Sequence, residues 1–160
     1  MNRSLFFIVS LAVIISSCGD DEEPAYSFKN QNLSGKIGNA AWEFGDGYAE
    51  IFGMGDDSQL QFDLFIELDG EGCNVIPVGN EVLFSVPKKV GVYKLKADLS
   101  DMENSLFVNL FEEETTGHNL ASKGAIEILT ITETEVTGRI DASLDEMNTI
   151  NGNFAVNICQ

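Results

Sequence analysis

Basic residues and histidine are what this chain has least of. Lys and Arg number 9 against 26 Asp and Glu in 160 residues, for a net charge of −17. A surface of that sign repels phosphate, and nucleic-acid affinity rests on Lys and Arg neutralising phosphates, so DNA and RNA are excluded as partners. Anionic lipid is repelled for the same reason. His118 is the only histidine, so any Ser-His-Asp or Cys-His nucleophile would have to be built on it. It lies beside Thr116-Gly117, after the acidic Glu112-Glu113-Glu114, and reads as a solvent-facing loop residue. No G-x-S-x-G elbow accompanies it. One His with two dispersed Cys also lacks zinc-ligand spacing. Helical periodicity is missing too: beyond residue 32 no segment keeps a 3.6-residue apolar repeat for several turns. At most, Ser100 to Asn104 or Ser143 to Asn148 makes a single helical turn.

The N-terminus has what the rest lacks, a long apolar run. Arg3 precedes Leu5 to Ile15, interrupted only by Ser10. That is the length of a signal-peptide core, ~7–15 residues, and short of the roughly 20 a membrane span needs. Small Ser16 and Ser17 suit a signal peptidase, and Cys18 follows at once. Ile15-Ser16-Ser17-Cys18 resembles the lipobox of bacterial lipoproteins. The resemblance implies a thioether-linked diacylglyceride on Cys18, cleavage before it, and N-acylation. Two or more acyl chains anchor a protein stably. Asp20-Asp21-Glu22-Glu23 resembles the acidic surface-export signal of Bacteroidetes lipoproteins, and as a charge run it also makes a solvated tether. The implied address is the outer membrane, lipid-anchored and facing the cell exterior, with the periplasmic leaflet as alternative. The expected organisation is a signal peptide over 1–17, a lipidated acidic tether over 18–32, and one domain over 33–160. Tyr26 and Phe28 are the docking points in the tether.

From Leu33 onward the dominant period is two, the signature of strands. Phe62, Leu64, Ile66 and Leu68 share one face. Val82, Phe84 and Val86 repeat the pattern, as do Tyr93, Leu95 and Ala97, then Leu106, Val108 and Leu110. Ile126 and Ile128, Val136 to Ala142, and Phe154 to Ile158 continue it. Turn signals separate the runs: Gly38-Asn39, Gly45-Asp46-Gly47, Asp69-Gly70, Gly79-Asn80, Thr116-Gly117 and Asn151-Gly152. The expectation is an all-β fold, a single antiparallel β-sandwich or barrel of about eight or nine strands. Phe65, Phe107, Phe111, Leu129 and Ile131 fall on nominally outer faces, marking strands covered on both sides or an apolar patch. The Gly35-Lys36-Ile37 to Trp42 opening and the Val136 to Phe154 close resemble hairpins of small all-β Bacteroidetes lipoproteins. That resemblance implies address and architecture and transfers no catalytic residue.

With Cys18 assigned to lipid, Cys73 and Cys159 form a potential disulfide in an oxidising compartment, the alternative being two buried thiols. Carboxylate catalysis needs two acids ~5–10 Å apart across a cleft. Glu50, Asp63, Glu67, Glu127, Glu135 and Asp141 are the candidates, although outer faces and turns are where solvated acids also sit. Asp46, Asp56, Asp57, Asp69 and Glu71 occupy Gly-rich turns and are weak calcium candidates, without an EF-hand loop. Turn acids equally suit the turns themselves. Trp42 and Tyr48 are possible ligand contacts in an aromatic group with Phe44 and Phe52, in competition with core packing, since Trp is generally well buried. No cofactor is expected. The reading is a non-catalytic binding or structural module for a glycan, a peptide or a neighbouring surface protein. The alternatives are a carboxylate-based polysaccharide hydrolase and a lipocalin-like carrier.

Overall fold

Alternating apolar and polar side chains force this backbone to pleat, and a pleated chain must pair its main-chain groups with neighbours. The computed structural model describes residues 26–69, 73, 76–97, 100 and 105–159. Cys18, the acidic run, Glu71 and the segment 101–104 lie outside the described residues. Eleven strands form: β1 (Ser34–Ile37), β2 (Ala40–Glu43), β3 (Asp46–Phe52), β4 (Gln59–Asp69), β5 (Ile76–Pro87) and β6 (Gly91–Lys94). They are followed by β7 (Val108–Glu112), β8 (Gly117–Ala121), β9 (Lys123–Ile131), β10 (Glu135–Asp145) and β11 (Asn148–Cys159).

The all-β architecture is the one the alternation predicts. The strands make one curled sheet, a half-barrel, in the order β6-β9-β10-β11-β3-β4-β5-β7-β8, with the β1–β2 hairpin attached to β11. Among the described strands every pairing is antiparallel except β11 with β3, which runs parallel through Asn157–Cys159 and Tyr48–Glu50, and an isolated parallel bridge joins Asn32 to Asn153. Only Ser122 separates β8 from β9, so one nearly continuous stretch pairs first with β7 and then with β6 and β10. A backbone bridge between Lys96 and Leu106 joins the chain after β6 to the chain before β7. Where a helical turn was expected at Ser143–Asn148, a tight turn links β10 to β11. Asp145 Oδ1 accepts from the Met147 backbone N–H at 2.9 Å and from Asn148 Nδ2 at 3.1 Å, which satisfies the turn locally.

The concave face holds the core. Phe62 and Phe84 stack with ring centroids 4.4 Å apart, and Phe154 meets both edge-on at 5.5 and 5.9 Å. Leu60, Leu64, Val82, Leu110, Ile126, Ile140 and Ile150 close around them. Cys73 and Cys159 are joined as a disulfide with Cα atoms 5.5 Å apart, ordinary geometry for such a bond. It ties the end of β11 to the connection between β4 and β5.

Residues 26–32, expected within the tether, instead lie along β10 and β11. The Ser27 and Lys29 N–H groups donate to Asp141 Oδ2 at 2.7 Å and Asn151 Oδ1 at 2.8 Å. Asn153 N–H donates to the Gln31 carbonyl at 2.8 Å, and Leu33 N–H to the Asn153 carbonyl at 2.9 Å. The Arg139 guanidinium sits 4.5 Å over the Phe28 ring and pairs with Glu127. Phe28 is the apolar trace of this strap in the sequence, while backbone groups and polar side chains hold residues 30–32. Gly152 allows the crossing: its φ is +143°, and a Cβ there would lie 2.5 Å from the Asn32 carbonyl oxygen.

Candidate functional site

The sheet edge at β4, β5 and β7 carries the most developed site. β4 pairs with β5 from Gln59–Pro87 to Asp69–Ile76. β7 accompanies β5 only at Glu81–Phe111, Val82–Leu110 and Leu83–Asn109. Before Asn109 the chain turns away towards Lys96. The separation opens a cleft of about 620 Å3 at this edge of the sheet, lined by Gln59 and Gln61 of β4, Leu83 and Ser85 of β5, and Phe107 and Asn109, with the core rings Phe62 and Phe84 reaching it from the inner side. None of the described lining residues is ionisable, so the cleft offers amides, hydroxyls and aromatic rings.

Asn109 is its best-defined polar group. Its Nδ2 donates to His118 Nδ1 at 2.9 Å, which makes that ring nitrogen an acceptor and puts the ring proton on Nε2. Its Oδ1 is buried and has no hydrogen-bond partner. An unsatisfied buried acceptor costs about 1–3 kcal/mol. His118 is exposed, as expected, with its ring 5.2 Å from Phe111.

One row further along lies a carboxylate pair. Asp63 is opposite Leu83 and Glu81 is opposite Phe65, which makes the two acids diagonal neighbours, about 7–8 Å apart. Burial raises the Asp63 carboxyl above its usual range, and Glu50 adds to the rise. The hydroxyl of Tyr48, which donates to Asp63 Oδ2 at 3.0 Å, opposes it in part. Asp63 Oδ1 is buried without a partner. Burial, then Asp63, then Glu113 push Glu81 up to about 7. Tyr48 itself is pushed up to about 12, first by burial and then by Asp63. Neither acid lines the cleft. Of the six acids the sequence offers, Glu127 is paired with Arg139, Asp141 accepts from Ser27, and Glu50 and Glu135 are exposed. The Glu67 side chain lies outside the described residues. Glu81 was missed because nothing in the sequence shows which residue β5 sets beside Asp63.

The aromatic group does not assemble as a ligand platform around Trp42. That side chain is 2% exposed in the core, with its indole N–H donating to the Asn80 carbonyl at 2.8 Å. Apolar area and a satisfied N–H both favour burial there. Tyr48 lies apart, half-buried against Asp63. The calcium candidates do not converge. Asp56 and Asp57 are exposed in a 3-10 turn, Asp46 Oδ1 accepts the N–H of Gly47 at 2.6 Å, and Asp69 ends β4. Among the described residues no group of three His, Cys, Asp or Glu is placed to hold a metal ion. By its bond to Gly47, Asp46 serves its own turn. Phe107 joins the core rings Phe62 and Phe84 at the cleft, and its outward position beside inward Leu106 and Val108 was the one sequence signal for it. No protein-family model matches this chain, and no curated protein or solved structure is significantly similar to it.

Proposed function

We propose that this protein is a lipid-anchored, non-catalytic binding module that takes an uncharged ligand in the cleft between β5 and β7. The carrying observation is the uncharged cleft, lined by the amides of Gln59, Gln61 and Asn109 and the ring of Phe107. Amide groups and an aromatic ring bind through hydrogen bonds and stacking, without chemistry of their own. The interior of the curl is filled by Phe62, Phe84, Phe154 and their neighbours, and Phe62 and Phe84 form the inner wall of the cleft, which favours a ligand in the cleft over one enclosed as in a carrier. Arrays of neutral glycans and of peptides, each probed with wild type and Phe107→Ala, test this reading. Binding to one array, weakened at least tenfold by the substitution, supports it. No binding to either array, or binding indifferent to Phe107→Ala, overturns it.

The address follows from the lipobox resemblance: Cys18 carries the lipid, and the domain faces the cell exterior, or the periplasm as the alternative. Labelling of cells with a radioactive fatty acid should mark the wild type and leave Cys18→Ser unlabelled. Equal labelling of both would remove the anchor. Exposure is tested by protease on intact cells, where full protection assigns the periplasmic leaflet.

A carboxylate-based polysaccharide hydrolase is the second reading, and the Asp63–Glu81 pair favours it. Two acids whose protons are held at raised pH suit a general acid and its partner. Their position outside the cleft is why it ranks second. Release of reducing ends from a polysaccharide by wild type, lost in Glu81→Gln, would promote it above binding.

A further inference from the structure

The main chain bordering the cleft narrows the class of ligand. β4 occupies one edge of β5 along its length, whereas β7 occupies the other only from Glu81 to Leu83. Among the described residues, no strand pairs with Phe84, Ser85 or Val86 on that second edge. A free strand edge presents N–H and C=O groups at the repeat of a pleated backbone, roughly 6.6–6.8 Å for every second residue. The molecules that match this repeat are other extended polypeptides. Pro87 has no N–H to donate and closes the edge at one end. Leu83, paired with Asn109, closes it at the other.

The side chains around the edge fit the same occupant. Asn109 stands at the last paired position and lines the cleft beside the unpaired stretch of β5. Gln61, opposite Ser85 on β4, offers a neutral donor and acceptor to side chains on one face. Phe107 supplies apolar contact on the far wall. With no charge in the described lining, a charged segment would be desolvated without compensation. Resting on the reading of this cleft as the ligand site, the geometry points to a short, extended, uncharged polypeptide segment that adds to the free edge of β5 as a new strand. Its main chain supplies the binding, and its alternate side chains meet Gln61 and Phe107.

The test uses a phage-displayed library of uncharged heptapeptides against the oxidised protein. The selected peptide is then synthesised unmodified and in two N-methylated forms, each blocking alternate N–H groups. Strand addition on one edge predicts that one form loses at least tenfold in affinity while the other retains it. The unmodified peptide should also slow amide exchange within residues 84–86. Equal affinity of all three peptides, or loss in both methylated forms, overturns the proposal. If neutral glycans bind through Phe107 and no peptide is selected, the strand-addition proposal falls and the cleft remains a ligand site. If neither class binds, both fall.

Discussion

Glu81 faces outward from β5 among acids, with Asp63 diagonal to it and Glu113 nearby, and it holds its proton up to about 7. Unfolded, the same carboxyl ionises near 4.5. A raised folded value means that its contribution is fully present below about 4.5 and is lost as pH rises through 7. Asp63, also raised, acts in the same sense. Glu81→Gln is therefore expected to raise the melting temperature at pH 8, by the equivalent of about 1 kcal/mol after allowance for screening at a partly exposed site. It should leave stability at pH 4 nearly unchanged. Parallel stability–pH profiles for the two proteins would sink the prediction. Trp42 differs in kind. Trp42→Ala removes a core side chain and orphans the Asn80 carbonyl, at a cost of about 3–5 kcal/mol, while ligand binding below the midpoint is retained. Denaturant midpoints and binding on the same samples check both halves. Sequence alone placed Trp42 and Tyr48 in one aromatic group because their spacing is short. It could not show that β2 turns the indole inward while β3 turns the phenol out.

At the scale of elements, strands were legible and their partners were not. The alternation through Phe62, Val82, Val136 and Phe154 locates β4, β5, β10 and β11 because each buries one face. Partner choice is written in main-chain hydrogen bonds, which carry no residue-type signature, so the parallel seam between β11 and β3 was invisible. The same holds for the strap. Tyr26 and Phe28 stood out as docking points, but Asn30-Gln31-Asn32 is too polar to distinguish from a solvated tether. Its grip on Asn151 and Asn153 combines backbone-to-backbone bonds with bonds to and from side-chain amides. Gly152→Ala tests this element. Its Cβ would collide with the strap under a backbone angle that favours glycine, and a cost of about 2 kcal/mol is expected. Amide exchange at Leu33 should accelerate by more than the global change in stability requires. If the loss is uniform across the molecule, the strap is not a separate unit.

For the molecule as a whole, alternation established an all-β fold and left sandwich and barrel open, since both place every second residue inside. The curl is decided by the run of β8 into β9 and by the Lys96–Leu106 bridge, features of connection that composition does not register. The cleft arises at that same divergence, which is why its residues could be read only as outward-facing amides. The disulfide closes a separation of 86 residues, worth about 4–5 kcal/mol in the chain-entropy model. Cys73→Ser should lower the urea midpoint accordingly, and wild type with reductant should match it. Equal midpoints for oxidised and reduced wild type would refute the contribution. The position of β11 sets the timing of all this. The last strand in chain order is the one that β1, β3, β10 and the strap pair with. None of them finds that neighbour until it is present, so assembly is long-range and slow. Until then the earlier hairpins remain open-edged intermediates, the species on which aggregation and chaperone capture act.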